Sequence, residues 1–460
     1  MKNPLVVKAA LLAVVFCVLL IPLSMIGGIV SERAARQSAV VQDIAASSYA
    51  RQSFAGPILS VPYTEWFEET VKTAKEETRV WRSVERTLFF YPQASEIEGT
   101  AAVSTKRRGL FKARVFNWQA NVKGEFRLDG KTPIERSRTD SRLAFGQPRV
   151  SLAIGDVRGL AGTPKLNFAG EALKLKRGTT IKGMDSGVHA EIAAFDTGKP
   201  QNFAFSLELA LQGTESLAVV PLAADNRIGL KSDWPHPSFG GQFLPQADTQ
   251  KIGKEGFDVK WSVSGLATNA QEKLGAGCAQ ANAGAKAADA RRAGECAERL
   301  EVRFIEPIDI YALSDRAQKY GFLIIGLTIG VFLLFEVLKQ WPIHPAQNFL
   351  VGLALATFFL LLIALSEHIA FWIAYLVAAA ACIALLGVYL GAVLGGAKRG
   401  AAFAALLAVL YAALYGLLVS EDNALLLGAG LVFGVLAAAM LLTRRVDWYR
   451  VGAGVKVAGA

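Results

Sequence analysis

The chain is poor in the residues from which catalytic and metal centres are usually built. It has four cysteines in 460 residues, and its four histidines lie far apart, at His189, His236, His344 and His368. It contains no H-E-x-x-H, no G-x-S-x-G and no S-x-x-K with supporting boxes. A P-loop and a dinucleotide-binding fingerprint are missing as well. The sequence therefore predicts no metal centre, no cofactor and no enzyme activity.

Charge is scarce in two parts of the chain, and those parts are long apolar runs. Charged residues make up 19% of the sequence, against roughly 25% in soluble domains. One apolar run, Ala9–Val30, opens the chain, and five more follow a long polar segment. Each run is close to or above the ~20 residues that a helix needs to cross a bilayer. The later runs are Tyr320–Leu338, Phe349–Leu365, Ile369–Ala397, Ala401–Val419 and Ala424–Leu442. This pattern predicts a bundle of six transmembrane helices.

The first apolar run is predicted to be an uncleaved membrane anchor. Lys2 and Lys8 precede it, which suits a signal peptide equally well, but the run exceeds a typical apolar signal region of 7–15 residues. No clear A-x-A cleavage site follows it directly. The net charge of +10 does not indicate nucleic-acid binding, because many basic residues flank the apolar runs, where membrane topology explains them.

The short connections between the apolar runs predict the orientation. One set contains Lys339, Lys398-Arg399 and the basic C-terminal tail, whereas the connections at 366–368 and 420–423 have no Lys or Arg. The positive-inside rule places the basic set in the cytoplasm. Residues 1–8 and 443–460 are then cytoplasmic, residues 9–30 and 319–442 form the membrane region, and residues 31–318 face outward. In a bacterial inner membrane, outward means the periplasm.

The segment between the first two runs has the pattern of a β-rich domain. Residues 31–50 are expected to continue the first helix. Beyond them, apolar residues alternate with polar ones around Phe116–Val122, Phe203–Leu211, Phe257–Val263 and Leu300–Phe304. Alternation with period two is typical of half-buried antiparallel strands, so a sandwich-like domain is expected.

An Ala/Gly-rich stretch, residues 267–297, interrupts this pattern and looks like an inserted loop or hairpin. It contains Cys278 and Cys296. In an oxidising compartment such as the periplasm, a disulfide between these two cysteines is plausible.

Candidate ligand contacts are few, and each has a plainer explanation. Trp234, His236 and Phe239 lie in a Pro- and Gly-rich segment that is either a ligand site for sugar, peptide or lipid or a rigid packed loop. Glu336 is an ionisable residue inside a predicted span, where such residues are often functional. Its neighbour Lys339 offers an ordinary ion pair three residues away.

Two acidic turns on the predicted outer side are further candidates, either for cation or domain contact or as ordinary polar turns. They contain Glu367 with His368, and Glu421 with Asp422. Three G-x-x-x-G motifs, at Gly326–Gly330, Gly387–Gly391 and Gly430–Gly434, predict close helix packing.

Several segments of the sequence form a distinctive combination that extends over nearly the whole chain. In the helical region these segments are Phe335–Lys339, Ile343–Pro345, Leu365–Ile369, Glu421-Asp422 with Ala424–Gly428, and Thr443–Tyr449. In the polar segment they are Gly56–Leu59, Val61–Tyr63, Arg108-Gly109, Asp156–Gly159 and Trp234–Pro245. Together these segments resemble the CreD family of bacterial inner-membrane proteins. Glu306 stands where the family tends to have Asp, and the segment with Cys278 and Cys296 looks like an elaboration.

The resemblance implies a process but no mechanism. Family members are associated with envelope integrity, tolerance to colicins and stress responses under the Cre regulatory system, and they have no established catalytic residues. We therefore expect a non-enzymatic protein whose partners are the lipid bilayer and an envelope protein or glycan. The alternative is a transporter or flippase of an envelope lipid or glycan precursor. A tethered periplasmic hydrolase would need His189 or His236 beside a serine or carboxylate in an open cleft.

Overall fold

A computed structural model describes residues 4–73, 76–179, 181, 184–275, 297–306, 309–339, 344–420 and 424–444. The chain divides into two compact units. The helical unit consists of Met1–Ser38 and Ile308–Ala460, and the β-rich unit is Ala39–Pro307. The described helices are α1 (Pro4–Ser47), α2 (Ala270–Gly275), α3 (Ile310–Lys339), α4 (Pro345–Ser366), α5 (Phe371–Val393), α6 (Ala397–Val419) and α7 (Ala424–Thr443).

Four of the described helices are long and apolar enough to cross a membrane. They are α1 from Ala10 onward, α4, α5 and α6. Helices α3 and α7 contain 30 and 20 residues and correspond to the second and sixth predicted spans. Their crossing of the membrane stays a prediction, so the structure supports four of the six predicted spans. The first helix continues to Ser47, in line with the composition of residues 31–50.

Helix α1 packs against α3 and α4 at two places, and at each of them a leucine of α1 lies against a glycine. Leu19 is fully buried, and a Cβ added at Gly352 would lie 2.1 Å from its Cδ1 atom. In the same way, a Cβ at Gly321 would lie 2.9 Å from Leu23 Cδ1. A side chain at either glycine would therefore require the neighbouring leucine to move.

Helices α5 and α6 approach each other closely at a pair of glycine-containing segments. A Cβ added at Gly400 would lie 2.4 Å from the carbonyl oxygen of Gly387 and 2.6 Å from Gly391 Cα. The motif Gly387–Gly391 is therefore a packing motif, as predicted. Among the described residues, no atom lies within 4 Å of a Cβ added at Gly430 or Gly434 of α7, so the predicted close packing is not seen there. Spacing alone does not say which helix face has a neighbour.

The β-rich unit contains two large sheets. The described strands are β1 (Gln52–Thr73), β2 (Glu76–Phe90), β3 (Ala94–Arg108), β4 (Phe111–Leu128), β5 (Arg142–Phe145), β6 (Arg149–Ile154), β7 (Lys165–Phe168), β8 (Glu171–Leu173), β9 (Lys176–Arg177), β10 (Gly187–Glu191), β11 (Gln201–Thr214), β12 (Ser216–Val220), β13 (Asp225–Ser232), β14 (Pro237–Gly241), β15 (Lys251–Gly253), β16 (Gly256–Ser264) and β17 (Leu300–Phe304). The first sheet has the order β14-β17-β12-β1-β6-β10-β9, with β2 and β5 also paired to β1. The second has the order β15-β16-β13-β3-β4-β11-β7-β8.

The two sheets share one hydrophobic core, which makes the unit sandwich-like. Phe54 of the first sheet contacts Trp118 of the second edge to face, with ring centroids 5.9 Å apart. Phe304 and Phe116 make a similar contact at 5.1 Å. The four alternating segments in the sequence form β4, β11, β16 and β17, and their apolar faces line this core.

Most strand pairs are antiparallel, as expected, but two described pairs are parallel. They are β1 with β12 and β3 with β13. The expectation of an antiparallel domain is thus incomplete. Period-two alternation identifies a strand and its buried face, but it carries no information about the direction of the neighbouring strand.

The close contact between α5 and α6 gives a test of the helical packing. We expect Gly400→Ala to destabilise the protein by about 1–3 kcal/mol, because the new methyl group would overlap the Gly387 carbonyl. The control is Gly430→Ala, which adds the same methyl group in open space and removes the entropic penalty of glycine in a helix. Thermal unfolding in detergent micelles measures both variants. Equal melting temperatures would contradict the close approach.

Candidate functional site

Glu367 lies in a small ionic cluster at one end of the helical bundle. It is the residue that ends α4, and only 7% of its side chain is exposed. The hydroxyl of Tyr311, in the first turn of α3, donates a hydrogen bond of 3.1 Å to Glu367 Oε1. Arg33 of α1 approaches the same oxygen with its Nε atom at 3.6 Å. One carboxylate thus connects three helices.

The position of Tyr311 in this cluster follows from how α3 begins. The side chain of Asp309 precedes the helix and accepts a hydrogen bond of 2.9 Å from the backbone N–H of Tyr311. Such a cap fixes the first turn of a helix and satisfies an N–H group that would otherwise lack a partner. The cluster joins the start of α3 and the end of α4 to α1, which favours a structural link over a substrate site.

The second candidate region is the place where the chain enters the β-rich unit after α1. The backbone carbonyl oxygens of Tyr49 and Ala50 accept hydrogen bonds from the side chain and the N–H of Thr214, at 2.7 and 3.1 Å. Arg51 forms an ion pair of 3.2 Å with Glu215. Glu215 has a positive φ of 64°, which marks a tight turn between β11 and β12.

The same turn also holds the segment by which the chain leaves the β-rich unit. The N–H of Phe304 donates to the carbonyl oxygen of Glu215 at 2.9 Å. The N–H of Glu215 donates to the backbone carbonyl oxygen of Arg114, also at 2.9 Å. The guanidinium of Arg114 in turn binds the carboxylate of Glu306. We name this arrangement the connector site: the incoming segment 49–51, the outgoing segment 304–306, and the residues Arg114, Thr214 and Glu215.

The Asp156–Gly159 motif, which supports the family resemblance, reinforces the incoming segment. Asp156 accepts a hydrogen bond of 3.0 Å from the N–H of Ala50, and it pairs with Arg158 at 2.7 Å. Arg158 also donates to the carbonyl oxygen of Ala46, 2.7 Å away, in the last turn of α1. Burial acts to raise the pKa of Asp156, but hydrogen bonds from Arg158 and Ala50 hold it below its usual value. Asp156 therefore stays charged and keeps its partners.

The Pro-rich segment around Trp234 is hydrogen-bonded to the outgoing segment of the connector site. The indole N–H of Trp234 donates to the carbonyl oxygen of Ile305 at 2.9 Å, and the guanidinium of Arg114 lies 5.3 Å from the ring centre. His236 is exposed, and its carbonyl oxygen accepts from the N–H of Ile305 at 3.3 Å. These contacts correspond to the rigid packed loop that the sequence left open as an alternative.

Phe239 belongs to the core side of the same segment. It lies in β14 and contacts Trp261 and Phe257 edge to face, at 5.9 and 6.0 Å. The contacts that the structure describes for Trp234, His236 and Phe239 are all packing or hydrogen-bonding contacts within the protein. A ligand contact at these residues stays a prediction. Arg114 is not among the residues predicted from the sequence, although a charged residue inside the apolar run of β4 is a usable signal.

A third region, absent from the sequence analysis, carries exposed aromatic side chains. The outer part of the β1–β2 hairpin forms a long two-stranded ribbon, residues 63–73 and 76–86. Beyond Trp66, β1 pairs with β2 alone among the described strands. Trp66 and Trp81 are 45% and 54% exposed. Trp66 lies opposite Ser83, two residues from Trp81, so the two tryptophans lie on one face of the ribbon as diagonal neighbours, whose Cα atoms are typically about 7–8 Å apart.

The base of the ribbon is fixed by Glu65, whose side chain is fully buried. Its carboxylate accepts hydrogen bonds from Arg86 at 2.7 Å and from the N–H groups of Ser137 and Arg138 at 2.6 and 3.2 Å. Burial acts to raise its pKa, but hydrogen bonds from Ser141, Arg138 and Ser137 lower the pKa to about 2. Glu65 therefore joins both strands of the hairpin to the loop that follows β4.

The remaining predicted residues do not join a site in the described structure. His368 is exposed in the turn after α4. Glu336 lies in α3, where only its backbone is described, and Glu421, Asp422, Cys278 and Cys296 lie outside the described residues. His189 in β10 lies opposite Ser151 in β6, and Ser151 is buried. Since Ser151 is fully buried, this pair does not form the open cleft that a hydrolase needs.

The residues that the structure describes contain no group of three or more His, Cys, Asp or Glu that could hold a metal ion.

Several membrane-length helices and a large β-rich unit define a class of protein: a multi-pass membrane protein that also contains a large β-rich unit. Its residues 4–449 match the family model described as inner membrane protein CreD. It is 33% identical over 449 residues to the inner membrane protein CreD of Escherichia coli (strain K12), covering 98% of this chain and 95% of that protein. The chain therefore belongs to the CreD family of inner membrane proteins.

A crystal structure of an M1 zinc metallopeptidase from Deinococcus radiodurans matches 46% of this chain and 42% of its own. The aligned parts are 8% identical, with a TM-score of 0.18. A likeness of this size carries no statement about fold or activity.

The ionic cluster at Glu367 gives a test of its structural role. We expect Glu367→Gln to destabilise the protein by about 1–2 kcal/mol, between the values for exposed and buried pairs, because Arg33 would keep its charge without a partner. Glu32→Gln is the matched control, since Glu32 pairs with Arg36 on the exposed surface of α1. Thermal unfolding in micelles compares the two variants. A control that loses as much stability as Glu367→Gln would contradict the cluster.

The low pKa of Glu65 predicts how acid affects the β-rich unit. A group whose pKa falls on folding stabilises the folded state above its unfolded pKa of about 4.3. That contribution is lost as the pH falls through the folded value of about 2. We expect Glu65→Gln to be less stable than the natural protein at pH 7 and to lose less stability between pH 4.5 and 2.

Urea unfolding followed by tryptophan fluorescence over this pH range measures the effect of Glu65→Gln. Glu68→Gln is the control, because Glu68 forms a largely exposed pair with Arg79. If the natural protein and Glu65→Gln lose stability in parallel as the pH falls, Glu65 does not have the assigned role.

Proposed function

We propose that this protein supports the integrity of the cell envelope under stress, including tolerance to colicins, by binding an envelope component without catalysing a reaction. The β-rich unit lies in the periplasm in this proposal, and both termini lie in the cytoplasm. Helices α3 and α7 cross the membrane together with the four helices of sufficient length and apolarity. The charges of the short connections support this orientation, because the basic residues all fall on one side.

The observation that carries the proposal is the pair Trp66 and Trp81 on the ribbon. Large aromatic side chains are usually buried, and two exposed indoles on one face indicate a surface that is covered by a partner. The rim around them is polar. Arg142 lies opposite Trp66 in β5, and Arg79 pairs with Glu68 on the same face. An apolar centre with a polar rim is the usual anatomy of a binding surface.

We further propose that the helical unit responds to this binding, and the connector site supports that idea. Strand β1 begins at the connector site and ends in the ribbon, so one unbroken strand joins the two. Because both connecting segments are hydrogen-bonded to one turn, a change at that turn acts on the chain leading to α1 and on the chain leading to α3 together. Loose linkers would lack this property.

The ribbon gives the test of this function. The experiment uses a bacterial strain without its own CreD-family gene, complemented with the full chain or with the double variant Trp66→Ala and Trp81→Ala. We expect the double variant to reduce survival in detergent and colicin at least tenfold, since loss of one interface tryptophan often costs more than about 2 kcal/mol of binding. The double variant Leu244→Ala and Ile252→Ala is the control, because it removes exposed apolar side chains elsewhere on the same unit.

Both double variants must reach the membrane at equal levels and resist protease as the natural protein does. Full survival with the tryptophan variant would overturn the proposed binding surface. Equal loss with the control would show a general effect of surface truncation instead.

A further inference from the structure

A groove of about 480 Å³ runs between α1 and α3 in the helical unit. It is a feature that the proposed function does not use. Its lining combines residues from both helices: Leu20, Leu23, Ser24, Gly27 and Ser31 from α1, and Asp315, Gln318, Lys319 and Phe322 from α3. A volume of this size is within the usual range for small-molecule sites.

The two helices run antiparallel along the groove, and their contacts give the register. A Cβ at Gly27 would lie 3.1 Å from the side chain of Gln318, which also donates a hydrogen bond of 3.1 Å to the carbonyl oxygen of Leu23. One turn further along α3, the hollow at Gly321 receives the side chain of Leu23. Residue numbers therefore fall along α1 as they rise along α3.

With this register, the residues that line the groove change from polar at one end to apolar at the other. At one end of the groove Ser31 of α1 accompanies Asp315 and Lys319 of α3. Toward the other end the lining becomes Leu20 and Phe322, which are 37% and 53% exposed. A groove that is polar at one end and apolar at the other matches a molecule with the same division, and a membrane lipid is such a molecule.

The charges at the polar end of the groove indicate which kind of lipid headgroup would bind there. Lys319 and Asp315 lie one turn apart on α3, with Nζ and Oδ2 separated by 2.6 Å, and both side chains remain partly exposed. The end of the groove thus offers one positive and one negative group side by side. A headgroup with a phosphate and an ammonium complements both, whereas a purely anionic headgroup would face the Asp315 carboxylate.

We propose that this groove binds one glycerophospholipid with a zwitterionic amine headgroup, of the phosphatidylethanolamine type. Lys319 binds the phosphate, Asp315 accepts a hydrogen bond from the ammonium, and an acyl chain covers Leu20 and Phe322. The proposal requires α1 and α3 to lie in the bilayer. It does not depend on ligand binding by the ribbon, so each can fail without the other.

The test uses the full chain, purified in mild detergent and examined by native mass spectrometry after addition of defined lipids. We expect one phosphatidylethanolamine molecule to be retained per chain, with at least tenfold preference over phosphatidylglycerol of the same acyl chains. Lys319→Gln should lower retention about tenfold. Arg36→Gln is the matched control, because Arg36 belongs to an i,i+4 ion pair on α1 that does not line the groove. It should leave retention unchanged.

A second variant keeps the proposal testable if Lys319→Gln folds poorly. Ser24→Phe leaves both charges in place and fills the middle of the groove, so it should also abolish retention. Soluble phosphoethanolamine, which has the headgroup without acyl chains, should not displace the lipid. Equal retention of both lipids, unchanged retention by Ser24→Phe, or displacement by soluble phosphoethanolamine would each overturn the proposal.

Discussion

The β-rich unit is inserted between two helices of the chain, and its first and last strands must therefore begin and end close together. The structure meets this constraint with β12, which lies between β1 and β17 in the first sheet. Strand β1 runs parallel to β12 and starts beside Leu217, whereas β17 runs antiparallel and approaches its end beside Ser216. The turn that precedes β12 is thus the natural place for both connecting segments to be held.

This constraint also explains one of the two parallel pairs. Strands β1 and β17 are both neighbours of β12, and the insertion must begin and end at the same end of β12. Because β1 starts there and β17 finishes there, the two strands run in opposite directions. One of them is then parallel to β12. The parallel pairing of β1 is therefore a consequence of inserting a sheet into a helical protein, and it needs no special propensity of the residues in β1.

The apolar pattern of the sequence predicts the elements well and their partners poorly. Apolar length identifies α1, α4, α5 and α6, and alternation identifies β4, β11, β16 and β17. Both signals are local. The outcomes for the two motifs Gly387–Gly391 and Gly430–Gly434 differ because, in the part of the chain that the structure describes, only the first has a helix facing it. A neighbour of this kind is a tertiary property that spacing within one helix cannot contain.

The candidate site residues show the same limit. The acidic turn at Glu367 is visible in the sequence, but its partners Arg33 and Tyr311 come from helices at distant positions in the chain. The motif around Trp234 is also visible, and only the fold shows that it holds Ile305. The pair Trp66 and Trp81 escaped notice because the ribbon mixes charged and apolar residues on both faces. No alternation distinguishes its exposed side there.

In the proposed function, β1 is the strand that would transmit binding at the ribbon to the connector site. From Gln52 to Trp66 the strand advances about 45 Å, at ~3.3 Å per residue. A two-stranded ribbon alone is marginally stable in water, but β1 is paired with further strands up to Trp66, and Glu65 fixes its base. Force or displacement at the indoles therefore acts on a strand that is held along its length. At the other end of the strand, Ala50 is bound by Asp156 and by Thr214. These hydrogen bonds hold the beginning of the strand to the connector site.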